Sequence, residues 1–115
     1  LDVLVVDDNE DSADVLAELL RMCGHGVRVA TYGEDALALV SDAPPDVVLL
    51  DVGLPDLDGY EVAALIRERF GRGIRLVALT GYSDAEAKRR AASAGFDVFL
   101  TKPCSSAELE RALSP

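Results

Sequence analysis

No stretch of this 115-residue chain approaches the length of a membrane span. The longest unbroken apolar runs, such as Val47 to Leu50 and Val62 to Ile66, fall far short of the roughly 20 residues a spanning helix requires, so a soluble, non-membrane domain is expected. Cysteine is scarce as well. Cys23 and Cys104 have neither metal-finger nor redox spacing, and two thiols beside a normal core make no disulfide framework, so reduced thiols in a cytoplasmic protein are expected. Positive charge is also in short supply: 11 Lys and Arg stand against 21 Asp and Glu, a formal net charge of -10. Nucleic acid and anionic membrane would repel such a surface at long range, so neither is an expected partner, and partners should present neutral or basic faces. There is no signal-peptide pattern, glycine-rich phosphate loop, dinucleotide fingerprint, internal repeat or low-complexity tract. The chain opens at Leu1 without an initiator methionine, and is expected to be a segment of something longer.

What is present is ordinary globular material, half hydrophobic and 28% charged, in a length that suits one domain over residues 1–115. Five short runs of β-branched or leucine-rich sequence predict strands: Leu4 to Val6, Val27 to Ala30, Val47 to Leu50, Leu76 to Leu79 and Val98 to Leu100. Between them apolar residues recur at helical spacing, in the stripes Leu16, Leu19, Leu20, Cys23; Ala36, Leu39, Val40; and Val62, Leu65, Ile66, Phe70. Two more helices begin where Ser83 with Glu86 and Ser105 with Glu108 match the S-x-x-E box, in which serine and glutamate satisfy orphan amides of a first turn. The last is expected to be short, because it meets Ser114 and Pro115. Breaks at Ala43-Pro44-Pro45, Gly53 to Gly59 and Gly71-Arg72-Gly73 are connection-sized, so no domain linker is expected. Strands alternating with helices, and apolar on both faces, imply an α/β fold: a five-fold βα repeat whose parallel sheet is covered on both sides.

In such sheets ligands bind beyond the carboxyl ends of the strands, which makes the residues at strand ends the candidates. The first predicted strand runs into Asp7-Asp8 and the third into Asp51; the fourth ends at Thr80, and the fifth is followed by Thr101-Lys102-Pro103. Any one of these carboxylates could serve merely as a helix cap. Together they are costly, since each pair about 4 Å apart repels by roughly 1 kcal/mol in water and about 4 at an effective dielectric of 20. A hard divalent cation removes that cost, and an all-oxygen set without His or Cys suits Mg²⁺ or Mn²⁺ better than zinc. Lys102 adds a positive charge suited to a phosphoryl oxygen.

Asp7-Asp8, Asp51, Thr80 and Lys102-Pro103, with the pattern D-x-x-L-P-x-L-D-G from Asp51 to Gly59, resemble the receiver domain of two-component response regulators and hybrid histidine kinases. The resemblance runs in order along essentially the whole chain. It implies a flavodoxin-like (βα)5 fold with a five-stranded parallel sheet of order 2-1-3-4-5. It further implies that Asp51 is the phosphoacceptor and that Mg²⁺ or Mn²⁺ is held by Asp8, Asp51, the backbone carbonyl of Gly53 and, through water, Asp7. Thr80 would hydrogen-bond the phosphoryl group and Lys102 would pair with it. Pro103 would follow a cis peptide, and Phe99 would pack inward on phosphorylation. The donor would be a histidine kinase or phosphotransfer protein, and the domain would catalyse only its own phosphorylation and dephosphorylation. Its output would be a change in the face formed by the fourth helix, fifth strand and fifth helix. A sensor or output domain in the same longer chain is also implied, with a hybrid kinase the favoured setting.

Some residues invite a larger role than they are given. His25, flanked by Gly24 and Gly26, is expected to be an exposed connection residue at a helix end. Lys88-Arg89-Arg90 is expected to be a solvated helix face, and Tyr32, Tyr60 and Tyr82 are scattered. Gly53 and Tyr82, two residues after Asp51 and Thr80, stand where this family tunes attack by water, so the lifetime of the mark stays open. Two alternatives remain. A phosphorylation-independent receiver used only for docking would have lost acidic or lysine positions, and none is lost. A haloacid-dehalogenase-like phosphatase needs a second aspartate two residues after its nucleophile, where Gly53 stands.

Overall fold

The five predicted strands form in a computed structural model that describes residues 1–52, 58–81, 85–102 and 105–113. They are β1 (Asp2–Val6), β2 (Gly26–Ala30), β3 (Val47–Asp51), β4 (Arg75–Thr80) and β5 (Val98–Thr101), and the helices after each are α1 (Glu10–Met22), α2 (Gly33–Asp42), α3 (Gly59–Phe70), α4 (Ala85–Ala94) and α5 (Ser106–Leu113). The strands are all parallel, in the order β2-β1-β3-β4-β5. Because β1 lies between β2 and β3, the strand order reverses beside it. The register pairs Val6 with Leu50, which brings the residues after β1 next to the end of β3.

Alternate residues of β1 to β4 enter two separate cores. Leu4, Val6, Val48, Leu50 and Leu76 pack under α2 and α3, while Val3, Val5, Val47, Leu49, Val77 and Leu79 pack under α1 and α5. Burial on both faces is why these strands read as continuous apolar runs. The starts of α1, α3 and α5 are fixed locally. The Asn9 side chain accepts from the Ser12 amide at 3.1 Å, Asp58 from the Tyr60 amide at 2.8 Å, and Ser105 and Glu108 form the expected reciprocal box. The box expected at Ser83 lies outside the described residues.

The helical stripes need adjustment. In α1 the sheet-facing residues are Ala13, Ala17 and Leu20, with Leu16 and Leu19 half-buried at the margin. Cys23 is the exposed C-cap, one residue beyond the surface the stripe covers. His25 departs from expectation: only 12% of its side chain is exposed, and Nε2 lies 3.1 Å from Glu110 Oε1 of α5. The glycines do end the helix, Gly24 having φ 92°, but the His25 amide then bonds back to the Leu20 carbonyl, and the ring reaches Glu110 of α5.

Candidate functional site

The carboxyl edge of the sheet gathers the polar residues singled out from the sequence. Asp7 follows β1 and Asp51 ends β3, one strand over; Thr80 ends β4 and Lys102 follows β5. Asp7 is 1% exposed, its own amide bonded to the Ala30 carbonyl and its Oδ1 accepting from the Asn9 amide at 3.0 Å. The Lys102 amide donates to the Thr80 carbonyl at 2.7 Å, which fixes where its side chain starts. From there Nζ spans to both acids, 2.9 Å from Asp7 Oδ2 and 3.0 Å from Asp51 Oδ2. Burial alone would lower the Lys102 pKa, but hydrogen bonds to Asp7 and Asp51 and the charges of both carboxylates outweigh it and raise the pKa above the ordinary lysine value.

One oxygen from each of Asp7, Asp8 and Asp51 lies within 4.8 Å of the others. Asp7 is buried, Asp51 is 16% exposed at its side chain and Asp8 is open to solvent, so the cluster has a closed floor and an accessible mouth. Among the described residues Lys102 is the ammonium that meets this cluster, pairing with Asp7 and Asp51, so three carboxylates gather about one positive charge. That excess of carboxylate, and a donor set made only of oxygen, fit a hard divalent cation. Thr80 is 2% exposed. Phe99 is half-buried, and its register partner is Ala78, two residues before Thr80, so Phe99 and Thr80 lie on the same face of the sheet. The Gly53 carbonyl, Tyr82 and the Pro103 peptide fall outside the described residues.

Two features escaped the sequence. Gly59 opens α3 against the end of β3 so closely that a Cβ there would meet Val52 Cα at 2.4 Å and the Asp51 carbonyl oxygen at 2.8 Å. The glycine of the D-G pair thus marks a close approach as well as a turn. The second is a contact of Arg90, which is exposed like Lys88 and Arg89, as expected of a solvated face. From that face Arg90 also reaches from α4 to α3, with NH2 3.2 Å from Asp58 Oδ2 and its guanidinium carbon 4.2 Å from the Tyr60 ring centroid. No motif signals a contact between residues 32 apart on separate helices.

The family profile described as "Response regulator receiver domain" matches residues 3–114. The chain belongs to the receiver domain family. It is 38% identical over 112 residues to an uncharacterized 14.6 kDa protein of Leptolyngbya boryana, covering 96% of this chain and 86% of that one. To the sensor histidine kinase RcsC of Salmonella typhi it is 36% identical over 112 residues, spanning 97% of this chain but 12% of the kinase. Among solved structures it superposes at a TM-score of 0.91 and 30% identity on a Burkholderia pseudomallei response regulator with a phosphorylated aspartic acid, a calcium ion and citrate, covering 98% of this chain and 66% of that one. Membership places this receiver domain in two-component signalling. Among its described residues no helix is long and apolar enough to cross a membrane.

Proposed function

We propose that this receiver domain accepts a phosphoryl group on Asp51 from the phosphohistidine of a histidine kinase or phosphotransfer protein, in a reaction dependent on Mg²⁺ or Mn²⁺. The observation that carries the proposal is Lys102 bridging Asp7 and Asp51 within hydrogen-bond distance of both. Asp8, Asp51, the Gly53 carbonyl and, through water, Asp7 would hold the cation. When bound, it supplies positive charge that offsets the developing charge on the phosphoryl oxygens. An Asp51 oxygen forms a bond to phosphorus as the phosphorus–nitrogen bond breaks, and the electron pair of that bond leaves on the imidazole, which takes up a proton. Lys102, already 3.0 Å from the acceptor, transfers its ion pair to a phosphoryl oxygen, and the Thr80 hydroxyl donates to another. Water later attacks phosphorus, the Asp51 oxygen–phosphorus bond breaks, and inorganic phosphate leaves. The domain therefore runs a timer on itself and turns over no separate substrate.

Drawing the Thr80 hydroxyl toward the phosphoryl group opens room that Phe99 can enter, and this would reshape the face made by α4, β5 and α5. A partner preferring the altered face selects the phosphorylated state by its differential affinity. The likeness to a stretch of a sensor histidine kinase supports a hybrid kinase as the longer chain; the net charge of -10 supports a cytoplasmic domain that touches neither nucleic acid nor membrane. Intact-mass spectrometry after acetyl phosphate treatment tests the acceptor. One added phosphoryl mass is expected with Mg²⁺, none with chelator, and none in Asp51→Asn. Addition that persists in Asp51→Asn would falsify the assignment, and no addition to the parent would leave a docking module.

A further inference from the structure

Helix α4 is lightly docked. Ala91 is its only fully buried residue; Ala87 and Ala94 are half-buried, and Ala85 and Ala92 are exposed. Alanine removes little apolar area from water, so the few polar contacts of this helix weigh more than they would elsewhere. The Arg90 guanidinium makes two of them, both to the first turn of α3. It pairs with Asp58 Oδ2 at 3.2 Å and covers the Tyr60 ring, which in turn meets Phe96, just past the end of α4, edge-on at 6.3 Å between centroids.

What Arg90 grips is tied to the phosphoacceptor. The same Asp58 carboxylate caps α3 through the Tyr60 amide, and Gly59, between the two, donates its amide to the Val52 carbonyl at 3.2 Å. No room for even a methyl group separates Gly59 from the Asp51 carbonyl. The first turn of α3 therefore cannot keep its place if the Asp51 backbone shifts, and Asp58 and Tyr60 move with that turn.

We propose that Arg90 is a positioning residue, a clamp holding α4 to the first turn of α3, so that phosphorylation of Asp51 reaches α4 along Gly59, Asp58 and Arg90 as well as through Thr80. This rests on Asp51 being the acceptor and adds a second path to it. Because Arg90 and Asp58 are both substantially exposed, the clamp is marginal and can be loosened by a small displacement.

Hydrogen exchange of residues 85–94, with and without Mg²⁺ and beryllofluoride, tests the clamp in the parent, Arg90→Ala, Arg90→Lys and Arg89→Ala. Without the mimic, Arg90→Ala should exchange about fivefold faster in α4, the combined effect of an exposed ion pair and a cation–π contact, although alanine is the better helix former. The change produced by the mimic should shrink by more than half. Arg90→Lys should restore most of both effects, because an ammonium still pairs with Asp58, and Arg89→Ala should match the parent. Phosphoryl uptake at Asp51 should be equal in all four. Exchange in Arg90→Ala indistinguishable from the parent would overturn the clamp, and so would faster exchange with an undiminished response to the mimic. If the parent itself takes up no phosphoryl group, it is the acceptor assignment that fails, and the intact mass separates that outcome from the others.

Discussion

Lys102 holds two carboxylates at once, and its removal leaves them facing each other. Asp7, 1% exposed, would keep the Asn9 amide but lose its cationic neighbour, so Lys102→Ala should destabilise the metal-free domain by about 1 to 3 kcal/mol, the usual cost of stranding a buried polar partner. The pH dependence has a definite sign. The Lys102 pKa is raised in the folded state, so its stabilisation is fully present below the unfolded lysine value of about 10.4 and is lost as pH rises through the higher folded value. The difference in melting temperature between parent and Lys102→Ala should thus stay level from about pH 6 to 9 and narrow only above about 10.4. Narrowing near neutrality would mean another group sets the effect. These acids and this lysine were legible in the sequence because each directly follows an apolar strand, and strand ends on one sheet edge must converge.

At the scale of elements, strands were legible because both faces of the sheet are buried, and the start of α5 because Ser105 and Glu108 form its capping box, whereas α2 starts at Tyr32 without a side-chain cap. Contacts between helices were not legible. His25 with Glu110 and Arg90 with Asp58 join residues 85 and 32 apart, and their meeting depends on how helices dock, which local periodicity does not encode. The start of α3 is the junction most sensitive to substitution. Gly59→Ala must push a Cβ into backbone atoms of residues 51 and 52 that cannot swing aside, at about 1 to 3 kcal/mol of stability. By displacing Asp51, the proposed acceptor, it should also slow phosphoryl uptake about tenfold or more. An intact-mass time course and a denaturant melt check both, and normal uptake in the variant would sever α3 from the acceptor. The alanine packing of α4 makes a further ranking. In the unphosphorylated domain amides of α4 should exchange faster than those of α1, which docks through Leu20 with Ala13 and Ala17. On adding a phosphoryl mimic, the proposed output face requires changed protection within residues 85–102; changes confined to α1 and α2 would place that face elsewhere.

For the whole molecule the excess of acid sets up two responses to added salt that can be separated. A formal charge of -10 repels itself, and any electrolyte screens that repulsion, so NaCl should raise the melting temperature gradually and without saturation at a particular site. The cluster of Asp7, Asp8 and Asp51, which could hold a metal ion, should add a response of its own, because a cation bound only by the folded state stabilises it by mass action. At ten times its dissociation constant Mg²⁺ would contribute about 1.4 kcal/mol, or roughly 4 to 8 °C in a domain of this size. MgCl₂ should therefore stabilise the parent beyond NaCl of equal ionic strength and along a saturating curve. In Asp8→Asn the accessible carboxylate at the mouth is gone, and the two salts should act alike. That variant should also start from a higher melting temperature without metal, since one of three mutually repelling charges has been removed. A metal-free Asp8→Asn less stable than the parent would show that the three carboxylates do not strain one another, and the argument from repulsion to a bound cation would fail there.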